Sequence, residues 1–267
     1  MANAASTPAT AHKPGDGYVQ SFARGLEVIR SFSTDAPRQT LTEVAGRSGL
    51  SRAGARRILL TLETLGYVHN DGKLFSLTPR ILDLGFAYLS SMPIWNLAEP
   101  VMEALVGEVK ESCSAAVLDG TDIVYVLRVP THKIMSISLG VGSRLPAYCT
   151  SMGRMLLSAL PGAELIKCLQ ASTLTARTKY TVTDVKELAA KVAQARKQGW
   201  SLVNQELEEG LVSMAAPITN RAGQTVAALN ISGQANRTSA KAMQESMLPQ
   251  LLAAAHAISR MLSVQRS

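Results

Sequence analysis

Between Thr40 and Leu77 the chain carries a fixed succession of local signals that few folds accommodate. Thr40-Leu41-Thr42-Glu43 has the spacing of a capping box, in which a hydroxyl and a carboxylate three residues apart satisfy orphan amides reciprocally. It predicts a short helix with Val44 and Ala45 facing inward, ended by Gly49. After the short turn Ser48-Gly49-Leu50, Ser51 is a good N-cap for a second helix. Its predicted buried stripe is Ala55, Ile58, Leu59, Leu62 and Leu65, with Gly66 as its stop. Arg52, Arg56 and Thr61 fall outside that stripe, with Arg57 nearby. Tyr67 to Leu77 then reads as a hairpin around Asp71-Gly72, a type I′ turn signal. Upstream, Phe22, Leu26, Ile29 and Phe32 recur at helical spacing and predict a helix over about Ser21–Phe32 with one apolar stripe.

Two short helices, a glycine in the turn, an arginine-rich second helix and a hairpin directly after it describe a winged helix-turn-helix. From Arg38 to Arg80 there are seven basic and three acidic side chains, a balance of +4. Arg52, Arg56 and Arg57 lie on the second helix, and Lys73 lies near the tip of the wing. Such a helix draws affinity from phosphates and specificity from base edges, so double-stranded DNA is the expected partner. The ordered run of cap, helix, turn, helix and wing weighs against a merely solvated arginine face. Arg24, Thr40 and Ser51 complete the expected DNA-binding set with Arg52, Arg56, Arg57, Thr61 and Lys73.

The whole chain has 267 residues, a net charge of +7 and 46% apolar residues, enough for two domains with real cores. Four segments are expected: a disordered tail over 1–17, a winged helix-turn-helix over 18–78, a linker helix over 79–92 and an effector-binding domain over 93–267. Three widely spaced cysteines and scattered histidines give no zinc spacing and suit a reducing cytoplasm. No stretch has the length to span a membrane, and the tail lacks a signal-peptide core. The linker helix opens at Thr78-Pro79 and is broadly apolar (Ile81, Leu82, Leu84, Tyr88, Leu89). It needs a partner, either its own domain or the same helix of a second subunit, and two-fold operators favour the second.

From Leu97 onward the pattern is α+β, with helices on a mostly antiparallel sheet. A helix runs from Leu97 to Val109. Strands are expected at Ser114–Leu118, Ile123–Val129, Ile134–Leu139, Ser201–Asn204, Leu211–Pro217 and Thr225–Ser232. Further helices are expected near Ser151–Ala159, after Gly162, over Asp184–Lys197 with Thr181 as cap, and over Ser239–Ser263 with a kink or break at Pro249. Motifs for catalysis are absent: Gly140-Val141-Gly142 starts like a dinucleotide loop, but Leu145 takes its last glycine position. No catalytic residue, metal ligand or cofactor is expected.

Leu41-Thr42-Glu43-Val44-Ala45, Gly49-Leu50-Ser51-Arg52, Arg56 through Val68, Gly142 through Leu157 and Asn230-Ile231-Ser232-Gly233 resemble the IclR-type regulators over nearly the whole chain, Tyr18 to about Leu262. Tyr18 through Leu26 and Leu-Pro-Ala-Tyr-Cys-Thr-Ser-Met-Gly-Arg (Leu145 to Arg154) resemble the branch that controls β-ketoadipate-pathway (Pca/Pob) genes. That resemblance implies a cytoplasmic homodimer or tetramer on an inverted-repeat operator, with a GAF-like domain for a small aromatic or dicarboxylic acid, often an activator. The alternative within the family is a repressor of another metabolic operon that answers to a small keto acid. Many relatives carry a hydroxyl where this chain has Gly54, and some carry an acidic residue where it has Val203, which favours a less polar ligand. The resemblance places the effector between the loop before the Ser151 helix and the facing strands. Thr150, Ser151 and Met152 start that helix, whose positive end suits a carboxylate. Asn230 and Ser232 share a strand face, and Ser213 lies on the neighbouring strand. Asn230 and Ser232 could instead bond to backbone or water, and Tyr148 and Met152 either line an aromatic slot or belong to the core. Ligand binding is expected to tighten the sheet and shift the linker helix around Ile81–Leu89.

Overall fold

The computed structural model describes residue 15 and residues 17–91, 94–131 and 139–264. The expected tail (1–17) lies almost wholly outside the described residues, as does the expected strand Ile134–Leu139 apart from its last residue. The chain divides into two compact units, one reaching to Met92 and the other beginning at Pro93.

The first unit is built from α1 (Gln20–Arg30), β1 (Arg38–Gln39), α2 (Leu41–Arg47), α3 (Arg52–Thr64), β2 (Val68–Asn70), β3 (Phe75–Leu77), a single 3₁₀ turn at Pro79–Ile81 and α4 (Leu82–Ser90). Its sheet has the order β1-β3-β2, all antiparallel. The capping box of α2 forms in full: Glu43 N donates to Thr40 Oγ1 at 3.3 Å and Thr40 N donates to the Glu43 carboxylate at 2.7 Å. Those bonds hold the Glu43 carboxyl below its usual range. Gly49 ends the α2 turn at φ +67°, where a Cβ would be strained, and Leu50 N closes the turn on Ala45 O. Val28, Val44, Ala45, Ala55, Leu59, Leu62, Val68 and Phe75 form the core that these three helices and the wing share.

The apolar stripes are less buried than their periodicity predicts. Phe22 is 68% exposed and Leu26 37%, while Val28 supplies the buried contact from α1. Leu65, expected in the α3 core, is half exposed. The wing also departs from a type I′ hairpin. Asn70 pairs with Phe75, so the loop holds four residues, and only Gly72 has positive φ. Side chains replace the two-residue turn: Asp71 Oδ1 accepts from Lys73 N and Leu74 N, and Asn70 Oδ1 accepts from Gly72 N. These amides, with the Arg38 guanidinium paired to Asp71, keep the Asp71 carboxyl below its usual range.

The second unit runs α5 (Ile94–Val109), β4 (Ser112–Asp119), β5 (Asp122–Val129), β6 (Arg144–Pro146), α6 (Ser151–Leu157), α7 (Gly162–Ala171), α8 (Val185–Gln198), β7 (Ser201–Asn204), β8 (Leu211–Thr219), β9 (Thr225–Gln234) and α9 (Ala240–Val264). Six antiparallel strands take the order β6-β5-β4-β9-β8-β7. Helices α5 and α9 cover one face, and α6, backed by α7 and α8, covers the other. The α+β class expected from the sequence is the one observed. Two details differ. The α8 cap is Asp184, whose carboxylate accepts from Glu187 N at 2.8 Å, whereas Thr181 accepts from Arg177 N and Thr178 N. Pro249 stands inside an unbroken α9. No described helix is long and apolar enough to cross a membrane.

Helix α6 is buried along its entire length, a demand few helices meet. Gly153 makes the close approach: a Cβ there would lie 2.1 Å from Ala147 O. The glycine therefore lets α6 press against the segment that leads into it.

Candidate effector cavity and DNA-binding surface

Beneath α6 the second unit encloses a cavity of about 30 Å³. Thr150, Ser151 and Met152 line it from the helix start, and Ser213, Asn230 and Ser232 line it from β8 and β9. Six of the seven expected effector residues therefore meet. Tyr148 does not line the cavity. It is buried elsewhere, its hydroxyl donating to Thr175 O at 2.6 Å and accepting from Thr175 N, so it anchors a loop.

The polar groups around the cavity are only partly satisfied. Ser151 is 1% exposed and its Oγ has no hydrogen-bond partner among the described residues. Ser213 and Ser232 sit opposite each other in the β8–β9 register and line the same cavity. Asn230 Oδ1 accepts from Ser114 N at 3.0 Å, so the backbone reading is half met and the amide nitrogen is left over. Thr150 Oγ1 is spent on its own cap, accepting from Gly153 N. A buried polar group without a partner costs roughly 1–3 kcal/mol, so the sealed Ser151 hydroxyl, with Ser213 and Ser232 lining the same space, suits a ligand that brings oxygens.

Among the wall residues that sequence reading missed are Tyr125 and Arg128. They are three apart on β5, and strict alternation puts them on opposite faces. A bulge resolves this: Ala115 pairs with Leu127 and Ala116 with Tyr125, so Val126 is the extra residue. The bulge turns both side chains toward α6, and Arg128 falls opposite Ser114, whose partner on its other side is Asn230. Among the described residues Arg128 has no carboxylate partner, which leaves a half-buried cation at the cavity wall. Burial raises the Tyr125 hydroxyl to about 12, with the Arg128 charge working against the rise, so it stays a neutral donor. Cys149, also at the wall, is raised by burial to about 11 and stays a thiol. The rest of the wall is apolar: Leu139, Val203, Leu207 and Leu211. No group of three or more metal-ligating side chains occurs among the described residues.

A buried ion pair fixes α6 from behind. Arg154 donates to both oxygens of Glu206, at 2.7 and 2.5 Å, and through Nε to Tyr148 O at 3.0 Å. Glu206 also accepts from Val182 N. Three chain segments thus converge on one carboxylate.

On the first unit the expected DNA-binding residues divide into two groups. Ser51, Arg52, Arg56 and Lys73 are exposed at the α3 start, along α3 and on the wing. Thr40 and Ser51 both use their hydroxyls as caps. Arg24, Arg57 and Thr61, by contrast, border an apolar groove of about 750 Å³ with Phe22, Leu26 and Leu84. Thr61 Oγ1 donates back to Arg57 O. Gly54 donates its N–H to the Ser51 cap, and a Cβ there would sit 3.2 Å from Ser51 Oγ, so a larger side chain would crowd the cap.

Residues 21–72 match the IclR helix-turn-helix domain, and residues 86–260 match the C-terminal domain of the bacterial transcriptional regulator IclR. This chain belongs to the IclR family. Its relatives include the Pca regulon regulatory protein of Pseudomonas putida, 43% identical over 89% of this chain and 82% of that one. A transcriptional regulator from Rhodococcus sp. RHA1 shares the fold at a TM-score of 0.82 and 48% identity, covering 92% of this chain and 98% of its own. An IclR homologue from Microbacterium hydrocarbonoxydans, solved in complex with 4-hydroxybenzoate, superposes at a TM-score of 0.79 with 26% identity, over 91% of this chain and 99% of that one. The protein is thus a DNA-binding transcriptional regulator, from a family of regulators rather than enzymes.

Proposed function

We propose that this IclR-family regulator controls genes for aromatic-acid breakdown by the β-ketoadipate route, answering to an aromatic carboxylate bound beneath α6. The observation that carries this reading is the cavity wall: a lone cation, Arg128, the unpartnered Ser151 hydroxyl beside Ser213 and Ser232, and an apolar remainder that includes Val203. A guanidinium binds a carboxylate with two parallel hydrogen bonds. Ser151, Ser213 and Ser232 suit further ring oxygens, and Val203, Leu207, Leu211 and Met152 suit the ring itself. The relatives named above support the ligand class.

The cavity holds about 30 Å³, room for a single water, whereas a benzene ring fills a cavity of roughly 150 Å³. An aromatic acid must therefore push the walls apart. The ligand loosens the contact between α6 and the sheet locally rather than tightening the sheet, and its differential affinity for the opened form limits the switch. The operator is read by Arg52, Arg56 and Lys73 as base and phosphate contacts, from a homodimer or tetramer on an inverted repeat.

Thermal-shift titration with protocatechuate, 4-hydroxybenzoate, β-ketoadipate and pyruvate tests the reading, on the native chain and on Arg128→Ala and Ser232→Ala. Ligand at a hundred times its dissociation constant stabilises by about 2.7 kcal/mol. One aromatic acid should raise Tm, and Arg128→Ala should abolish the rise while leaving the unliganded Tm in place. A response to pyruvate alone, or an aromatic response that survives Arg128→Ala, sinks the assignment.

A further inference from the structure

Strand β7 is one edge of the six-stranded sheet, and among the described residues it pairs only with β8. Its ladder parity is fixed by Gln205 N donating to Leu211 O, in the same register as Val203↔Ser213 and Ser201↔Ala215. Antiparallel residues alternate between bonding their partner and pointing away. The N–H and C=O of Leu202 and Asn204 therefore point away from β8, and no partner for them occurs among the described residues. They open into a cleft of about 520 Å³ walled by α8 and the start of α9.

The walls of the cleft restrict what can enter. Helices flank the edge on both sides, so an extended segment fits where a second flanked sheet edge would collide with them. Lys191 on α8 and Lys241 on α9 face it, each held only by a surface pair with a glutamate one turn along its own helix, at 3.8 and 3.7 Å. Such exposed pairs are weak and exchange readily. Glu206, the carboxylate among the lining residues, is already neutralised by Arg154. Trp200 and Tyr180 add aromatic surface. We infer that this edge is a docking groove in which an acidic, extended segment of a partner protein adds to β7 as a seventh strand. Main-chain bonds to Leu202 and Asn204 would give affinity, and the two lysines would select acidic side chains. Natural sheets usually blunt an exposed edge or cover it. Here the backbone donors open into a cleft lined by the two lysines.

The probe is acetyl-Glu-Val-Glu-Val-Glu-Val-amide, titrated into the full chain while following Trp200, since the other tryptophan, Trp95, is 4% exposed. Saturable binding below about 1 mM is expected. Asn204→Pro deletes an N–H that takes no part in the β7–β8 ladder, a position at which edge strands tolerate proline. It should weaken the probe at least about tenfold with thermal unfolding unchanged, and K191E/K241E should do the same. A second arm avoids folding effects altogether: the same peptide N-methylated at alternate amides should fail on the native chain. Absence of saturation, equal binding by Asn204→Pro and the native chain, or equal binding of the methylated peptide overturns the inference. A fall in sedimentation coefficient for Asn204→Pro would assign the groove to a second copy of this chain and overturn it equally.

Discussion

The two units leave opposite kinds of surface unfinished. The DNA-binding unit exposes apolar side chains: Phe22 at 68%, Leu65 at 51% and Leu84 at 51% line a groove of about 750 Å³, and Leu82 and Phe86 are each 69% exposed. The sensor unit does the reverse and seals polar groups inside, with Ser151 at 1% beside a cavity of about 30 Å³. Exposed apolar area of this extent is completed by another protein surface, whereas buried hydroxyls are completed by a small molecule carrying oxygens. Under the proposed function, assembly falls to one unit and sensing to the other, and each assignment can be broken separately.

The largest effect is expected on the sealed side. Glu206→Gln leaves the Arg154 charge buried without its partner, and breaking a buried pair in this way costs about 3–5 kcal/mol. Urea unfolding should show that loss in the sensor unit. The double variant Arg154→Met/Glu206→Leu should recover most of it, because the desolvation of both charges is relieved. A small loss in Glu206→Gln would mean that α6 is held by packing alone. On the open side, Phe22→Ser should leave folding nearly unchanged and weaken self-association. A phenylalanine that passes from exposed to buried contributes about 1.5–3 kcal/mol, so the dimer dissociation constant should rise at least about tenfold by analytical ultracentrifugation. Unchanged association would remove the groove from the subunit contact and make the comparison of the two units one of exposure only.

The same contrast explains what could be read before the structure was known. The capping box at Thr40, the Ser51 cap and the buried set Ala55, Leu59 and Leu62 are local, and local rules place them correctly. Phe22 and Leu26 do lie on one helical face, but periodicity reports a face without saying whether this chain covers it. In the sensor unit, Ser151, Asn230 and Ser232 were legible through alternation together with family resemblance. Arg128 was not, because the bulge opposite Ala115 and Ala116 changes the parity of β5, and a bulge depends on strand pairing. Tyr148 misled for the converse reason: it neighbours the cavity residues in sequence, yet a hydrogen bond from Thr175, 27 residues away, directs it elsewhere.

The finest test separates the arginines of α3. Arg56 and Arg57 are adjacent and both exposed, but only Arg57 borders the groove with Phe22 and Leu26. If the groove is the subunit contact, Arg57 lies at its margin and Arg56 remains free for phosphate. Each phosphate neutralised contributes about 0.9 to the slope of log K against log salt. Arg56→Ala should therefore lower that slope by about 1, measured by fluorescence anisotropy on operator DNA across a salt series. Arg57→Ala should leave the slope near its native value at protein concentrations where the dimer is saturated. An equal lowering of the slope in the two variants would place both side chains on the backbone of the DNA, and the apolar groove would then open toward the duplex instead of toward a second subunit.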